Sequence, residues 1–138
     1  MISYLITGHG KFASGIISGI EIILGKQENY QVVDFVDGQT ATELELNITN
    51  SINELGSGPI LIFTDLLSGS PFNVSIMESM KRNNVEVIYG TNFVMLLDAF
   101  IKQSQEIEMP QLIDSLIHGG QSQIGFFDRN FVEDDDDF

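Results

Sequence analysis

The 138-residue chain carries 20 Asp and Glu against 6 Lys and Arg, a formal net charge of −14, and no cysteine. Disulfides and thiolate metal sites are thereby excluded, and nucleic acid is disfavoured as a partner because phosphate binding wants a basic face. With 43% hydrophobic residues the chain can bury one sizeable core, but its apolar runs fall far short of the ~20 residues of a membrane span, and no basic-then-apolar leader opens it, so a cytoplasmic location is expected.

Strands and helices alternate along the chain. Residues 2–8 read as a first strand, built on Ile2-Ser3-Tyr4-Leu5-Ile6. Residues 12–24 read as a helix with Ile16, Ile20, Ile23 and Leu24 on one face and Gly25 as its stop. Val32, Val33, Phe35 and Val36 mark a second strand, closed by an Asp37-Gly38 turn. Thr40 or Thr42 caps the next helix, which carries Leu44, Ile48, Ile52 and Leu55 at helical spacing. Gly56-Ser57-Gly58-Pro59 breaks it, and Ile60-Leu61-Ile62-Phe63 has the unbroken apolar character of a central parallel strand.

Ser70-Pro71 reads as an N-cap followed by a proline at the first helical position, opening a helix with Phe72, Ile76 and Met80 on one face. Val85 to Tyr89 form a fourth strand ended by Gly90. Residues 92–102 and 110–118 form two further helices with a break at Met109-Pro110. Phe93, Met95, Leu96, Leu97 and Phe100 belong to the core or to a subunit contact. His118, beside Gly119-Gly120, reads as a C-terminal cap that meets the helix dipole. Gln123 to Phe127 form a short last strand. The run Glu133-Asp134-Asp135-Asp136-Asp137 is a solvated, disordered tail, lacking the fixed geometry that a selective cation site needs.

This order predicts a single-domain α/β fold with an open, mostly parallel sheet, strand order about 2-1-3-4, and helices on both faces. Strands one and three are then neighbours, and their C-terminal ends meet. Strand one ends at Gly8-His9-Gly10 and strand three at Asp65. A carboxylate bonded to one ring nitrogen fixes the imidazole tautomer and leaves the other nitrogen free as a nucleophile. After Asp65, Leu66-Leu67-Ser68-Gly69-Ser70-Pro71 leads into a helix N-terminus, which favours a phosphate-like anion. A nucleophilic His9, an orienting Asp65 and an anion cradle point to phosphoryl transfer through a phosphohistidine. Taken alone, His9 reads equally well as a turn residue and Asp65 as a loop cap, and Lys11 either attracts phosphate or stays solvated. The sequence points to no metal and no organic cofactor.

Gly8-His9-Gly10 with Phe12-Ala13, Asp65 followed by Gly69-Ser70-Pro71-Phe72-Asn73, Gly90-Thr91-Asn92 and Met95-Leu96 together resemble the enzyme IIA component of the mannose family of bacterial sugar phosphotransferase systems. The resemblance covers roughly residues 1–127, so that 1–128 form the IIA-like domain and 129–138 the acidic tail. It implies that His9 accepts a phosphoryl group from HPr on Nε2 and passes it to a IIB component acting with membrane IIC and IID components. By the same resemblance Asp65 orients the ring, while Ser70, Gly69 and Gly10 hold the phosphoryl group. It further implies a homodimer in which the last strand, around Ile124 to Phe127, is antiparallel and exchanged between subunits.

Two departures stand out. Ser68 occupies a position where many members carry a second glycine; were a positive φ required there, it would cost about 1 kcal/mol. Leu67 stands where an aromatic residue is sometimes found. Two other functions fit the same residues: a histidine phosphoryl donor to dihydroxyacetone kinase, and a non-catalytic cleft that binds an anion or a partner. The sugar is not legible, because the resemblance implies that the membrane components mainly choose it.

Overall fold

A computed structural model describes residues 1–131, and the expected acidic tail at 133–137 lies outside the described residues. Four strands, β1 (Ser3–His9), β2 (Tyr30–Phe35), β3 (Ile60–Thr64) and β4 (Val85–Ile88), form one parallel sheet in the order β2-β1-β3-β4. Five helices connect or follow them: α1 (Phe12–Leu24), α2 (Ala41–Leu55), α3 (Ser70–Lys81), α4 (Phe93–Lys102) and α5 (Met109–Gln121). The sheet order is the expected one. It reverses direction between β1 and β3, and in open α/β sheets the crevice at such a reversal, outside the strand C-termini, is where ligands sit.

The sheet is apolar on both faces, as parallel sheets between helices are. Tyr4, Ile6, Leu61 and Phe63 pack on one face against Ala13, Ile17, Ile20, Leu96 and Leu116 of α1, α4 and α5. Leu5, Val33, Ile60 and Ile62 pack on the other against Leu44, Ile48, Ile52 and Val74 of α2 and α3. Tyr4 is wholly buried, donates its hydroxyl to the Ala99 carbonyl at 2.7 Å, and meets the rings of Phe63 and Phe100 edge-on. Met95, Leu96 and Phe100 join this core, with Phe93 and Leu97 packed against it.

Several local expectations change. Ile23 on α1 is exposed, and the buried stripe runs instead through Ala13, Ile17 and Ile20. On α3 the buried face is Pro71, Val74, Ser75 and Glu78, which leaves Met80 exposed and Phe72 and Ile76 half-buried. A polar face can be buried there because its groups are satisfied: the Ser75 hydroxyl donates to the Pro71 carbonyl, and Glu78 accepts from Thr49 and Arg82. Of the two candidate threonines, Thr40 is the cap of α2, accepting the Glu43 N–H at 3.1 Å, and Thr42 lies inside the helix.

The N-cap of α3 is Gly69, with Ser70 already helical. Helix α5 starts at Met109 and runs through both glycines to Gln121, so His118 lies inside its last turn, its ring 2.8 Å from the Asp114 carbonyl, and the cap is Ser122. Among the described non-glycine residues a positive φ occurs at Asn29 and Glu106. Ser68 therefore carries no such strain. Residues 123–127 lie outside the four strands of this sheet; a 3₁₀ turn follows at Arg129–Phe131.

Candidate active site

His9 closes β1, and Asp65 follows the last residue of β3. The register Thr7↔Thr64 brings these strand ends side by side. One carboxylate oxygen of Asp65, Oδ2, accepts both the backbone N–H of His9 at 2.9 Å and a bond from His9 Nδ1 at 2.9 Å; the other, Oδ1, accepts the Leu66 N–H at 2.9 Å. A carboxylate can only accept, so Nδ1 carries the proton and the lone pair is on Nε2. Partial burial pushes the Asp65 carboxyl up, but the His9 N–H, the His9 ring with the charge it bears when protonated, and the Leu66 N–H outweigh it, and its pKa lies below the ordinary aspartate value. The ring remains reachable, its side chain 45% exposed against 13% for Asp65.

Gly8 makes this approach possible. A Cβ there would stand 2.6 Å from the Phe12 ring and 3.0 Å from the Asp65 carboxyl carbon. Gly69 plays the matching part at the other nitrogen. It has φ +90° and lies so close to the imidazole that a Cβ would stand 2.8 Å from Nε2. The free nitrogen therefore faces the start of α3.

That start is open. Gly69 supplies no side-chain cap, Pro71 has no N–H, and the first N–H groups of a helix lack partners within it. The first helical bond runs from the Asn73 N–H to the Gly69 carbonyl at 2.9 Å. The Ser70 hydroxyl makes no hydrogen bond among the described residues and sits at the same helix end. Backbone donors and the positive end of the dipole are thus presented beside Nε2, which suits an anionic oxygen cluster.

Gly10 differs from the other glycines named for the site. Its N–H donates to the Phe35 carbonyl at 2.7 Å and its carbonyl accepts the Phe35 N–H at 3.3 Å. With φ +58° it makes the turn after β1, and its donor is already used. Lys11 occupies the N-cap position of α1, exposed and without an ion pair among the described residues. The start of α1 is held by Asp34 of β2, which accepts the Ser14 N–H at 3.0 Å and the Ser14 hydroxyl at 2.6 Å. Sequence reasoning named Gly8 in the Gly8-His9-Gly10 motif without giving it a role of its own, and passed over Asp34. The available signal was a carboxylate, Asp34, breaking the apolar run of Val32, Val33 and Phe35 near the strand's C-terminal end.

Among the described residues no group of three or more His, Cys, Asp or Glu is placed to hold a metal ion, and no helix is long and apolar enough to cross a membrane. The arrangement instead offers a buttressed imidazole whose free nitrogen faces a helix N-terminus without a side-chain cap.

Residues 3–117 match a family model described as the fructose IIA component of the PTS system. The chain is 27% identical over 124 residues to the mannose-specific EIIAB component of Escherichia coli, covering 89% of this chain and 38% of that protein. It therefore spans well under half the length of that relative. It is also 27% identical to the sorbose-specific EIIA component of Lacticaseibacillus casei, over 82% of this chain and 81% of the relative. Among solved structures, phosphotransferase system component EIIA from Streptococcus agalactiae superposes with a TM-score of 0.85 at 31% identity, covering 92% of this chain and 98% of that one. The mannose/sorbose-specific IIA subunit from Enterococcus faecalis, 23% identical with a TM-score of 0.83, shares the fold. With its parallel sheet in the order 2-1-3-4 and a family match over most of its length, this chain belongs to the mannose-type family of phosphotransferase-system IIA components.

Proposed function

We propose that this chain is a phosphocarrier: it accepts a phosphoryl group from phospho-HPr on Nε2 of His9 and passes it to a IIB partner that acts with membrane IIC and IID components in sugar uptake. The observation that carries the proposal is the pairing of Nδ1 with Asp65 at 2.9 Å while Nε2 faces the open N-terminus of α3. In the first transfer the Nε2 lone pair forms the bond to phosphorus, and the donor leaves with the electron pair of the bond that breaks. The ring becomes cationic, and the Asp65 carboxylate, still accepting Nδ1–H, stabilises it. Backbone N–H groups at the start of α3 and the Ser70 hydroxyl take up the phosphoryl oxygens. In the second transfer a nucleophile of IIB attacks phosphorus, and the P–N bond breaks with its pair returning to Nε2. No side chain of this site needs a metal for either step, and the reaction belongs in the cytoplasm.

The proposal includes a homodimer. Strand β4 is an edge strand among the described residues, and beside it lies a groove of about 350 Å³ lined by Tyr89, Met95, Ile113, Ile117 and, at its rim, this chain's own Ile124. Ile124, Phe126 and Phe127, on the segment outside the four described strands, are exposed. A second copy supplying that segment to the β4 edge would cover both.

Incubation with phosphoenolpyruvate, enzyme I and HPr, followed by native mass spectrometry, reads both claims. A single acid-labile phosphoryl group on wild type, absent from His9→Ala and formed about a hundredfold more slowly on Asp65→Ala, is expected. The particle should hold two copies. Phosphorylation of His9→Ala, or none of wild type beside active partners, would sink the phosphocarrier reading; a single copy would sink the dimer.

A further inference from the structure

We infer that Asp34 is a positioning residue for His9, an inference that rests on the phosphocarrier reading for its kinetic consequences. His9 lies between two glycines, the residue type that loses most conformational freedom on ordering. Little within Gly8-His9-Gly10 itself holds the ring in register with the start of α3, so much of the restraint has to come from neighbouring elements. Asp65 fixes one side, through the ring and the His9 N–H. The opposite side is held by the last two residues of β2.

In the sheet register Gly8 stands opposite Asp34, and His9 opposite Phe35. Phe35 exchanges two backbone bonds with Gly10, and its ring meets the His9 ring edge-on at 6.3 Å. Asp34 reaches past the turn into the first turn of α1, where Oδ1 accepts the Ser14 N–H and Oδ2 the Ser14 hydroxyl. Helix α1 has no side-chain cap of its own, because Lys11 occupies that position. Asp34 therefore serves as a cap contributed from another strand. It ties the helix that leaves His9 to the strand beside the one that brings His9 in, and Phe35 ties the turn between them.

The same contact distinguishes two helix starts. Both α1 and α3 begin within a few residues of site residues, and each presents N–H groups and a positive dipole end. At α1 the Asp34 oxygens already take up the Ser14 N–H and hydroxyl. At α3 the start carries no side-chain cap. Asp34 thus holds the turn and also leaves α3 as the anion's site.

The test compares Asp34→Ala, Asp34→Asn and Ser14→Ala with wild type. Three readouts are taken on protein of native circular dichroism: kcat and KM for phospho-HPr, the NMR signals of the His9 ring nitrogens in unphosphorylated protein, and the melting temperature. Asp34→Ala should lower kcat about tenfold, with KM changed less than about twofold, and should shift the Nδ1 signal. Asp34→Asn should recover most of the rate and the wild-type signal, since its amide oxygen accepts the Ser14 N–H and its NH₂ donates to the Ser14 hydroxyl. Ser14→Ala, which removes one of the two bonds, should fall between.

A lower melting temperature in Asp34→Ala with kcat and the ring signal unchanged would show a purely structural cap and overturn the inference. Equal loss in Asp34→Asn and Asp34→Ala would also overturn it, by assigning the effect to charge. Absence of phosphorylation in wild type is a failure of the phosphocarrier reading alone. The ring signal of the unphosphorylated variants then decides the positioning claim: moved in Asp34→Ala and restored in Asp34→Asn if it holds, unmoved if it does not.

Discussion

An alanine at Gly69 would bring its Cβ to 2.7 Å from Cε1 and 2.8 Å from Nε2 of His9, at a φ of +90°. Real Cβ atoms do not sit that close, so the loop or the ring must move away. Gly10→Ala is the natural control. It too has a positive φ, +58°, but meets no atom within 4 Å. Gly10→Ala should lose about 1–2 kcal/mol of stability, the cost of a left-handed conformation, and Gly69→Ala should lose more, because φ +90° with ψ 173° is a region open essentially to glycine alone. Gly69→Ala alone should also slow phosphorylation of His9 by two orders of magnitude or so, because a shift of about 1 Å at the reacting atoms is worth that much. Denaturant unfolding gives the first quantity and the time course of the intact mass gives the second. Equal phosphorylation rates in the two variants would mean that the phosphoryl group does not approach over Gly69. At this scale His9 and Asp65 were legible because each stands at the end of an apolar strand, one beside glycines and the other before a helix start. Gly8 and Asp34 were not legible, because their roles depend on a cross-strand register. Gly8 must lack a Cβ because the Phe12 ring and the Asp65 carboxyl both lie against it.

The helix elements show where periodicity succeeds and where it misleads. Leu44, Ile48 and Ile52 on α2 are wholly buried, as their spacing requires. On α3 the apolar spacing of Phe72, Ile76 and Met80 chose the wrong face, because Ser75 and Glu78 are buried with their polar groups bonded. Glu78 is 3% exposed; Oε1 accepts the Thr49 hydroxyl at 2.6 Å and Oε2 the Arg82 Nε–H at 3.1 Å. Burial alone would raise its pKa, yet these bonds and the charges of Arg82 and Lys81 outweigh it and hold the carboxyl below the ordinary glutamate value. The sign of the pH dependence follows. A carboxylate with a depressed folded pKa contributes stability that is complete above its unfolded pKa, about 4.3, and is lost as pH falls through the folded value. Glu78→Gln should therefore cost about 1–3 kcal/mol at neutral pH, the value of hydrogen bonds to a charged group. That deficit should shrink steadily below about pH 4. Chemical denaturation of both proteins across this range checks it. A constant deficit would show that packing between α2 and α3, and not ionisation, is what the side chain contributes. The segment 123–127, expected as a last strand exchanged between subunits, lies outside the four strands of this chain's sheet.

Across the whole molecule, charge and apolar surface make competing claims on how the donor docks. The chain carries −14 overall, so a partner with a basic docking face is attracted from a distance. Around His9, however, Leu66 and Leu67 are exposed and Phe72 is half-buried, which offers apolar contact that salt does not screen. The two contributions separate by ionic strength. Between about 0.01 M and 0.1 M salt the Debye length falls from about 30 Å to about 10 Å. Long-range attraction then weakens, while chemistry inside the docked complex keeps its rate. The second-order rate constant for phosphorylation by phospho-HPr should therefore drop on the order of tenfold over that range, with the single-turnover rate at saturating donor unchanged. Stopped mixing at several donor concentrations measures both. If both constants hold steady, docking is governed by the apolar rim and the molecule's charge serves solubility. If both fall together, the salt acts on the His9–Asp65 pair itself, and the protection given to that carboxylate by its bonds to His9 and Leu66 is weaker than the geometry requires.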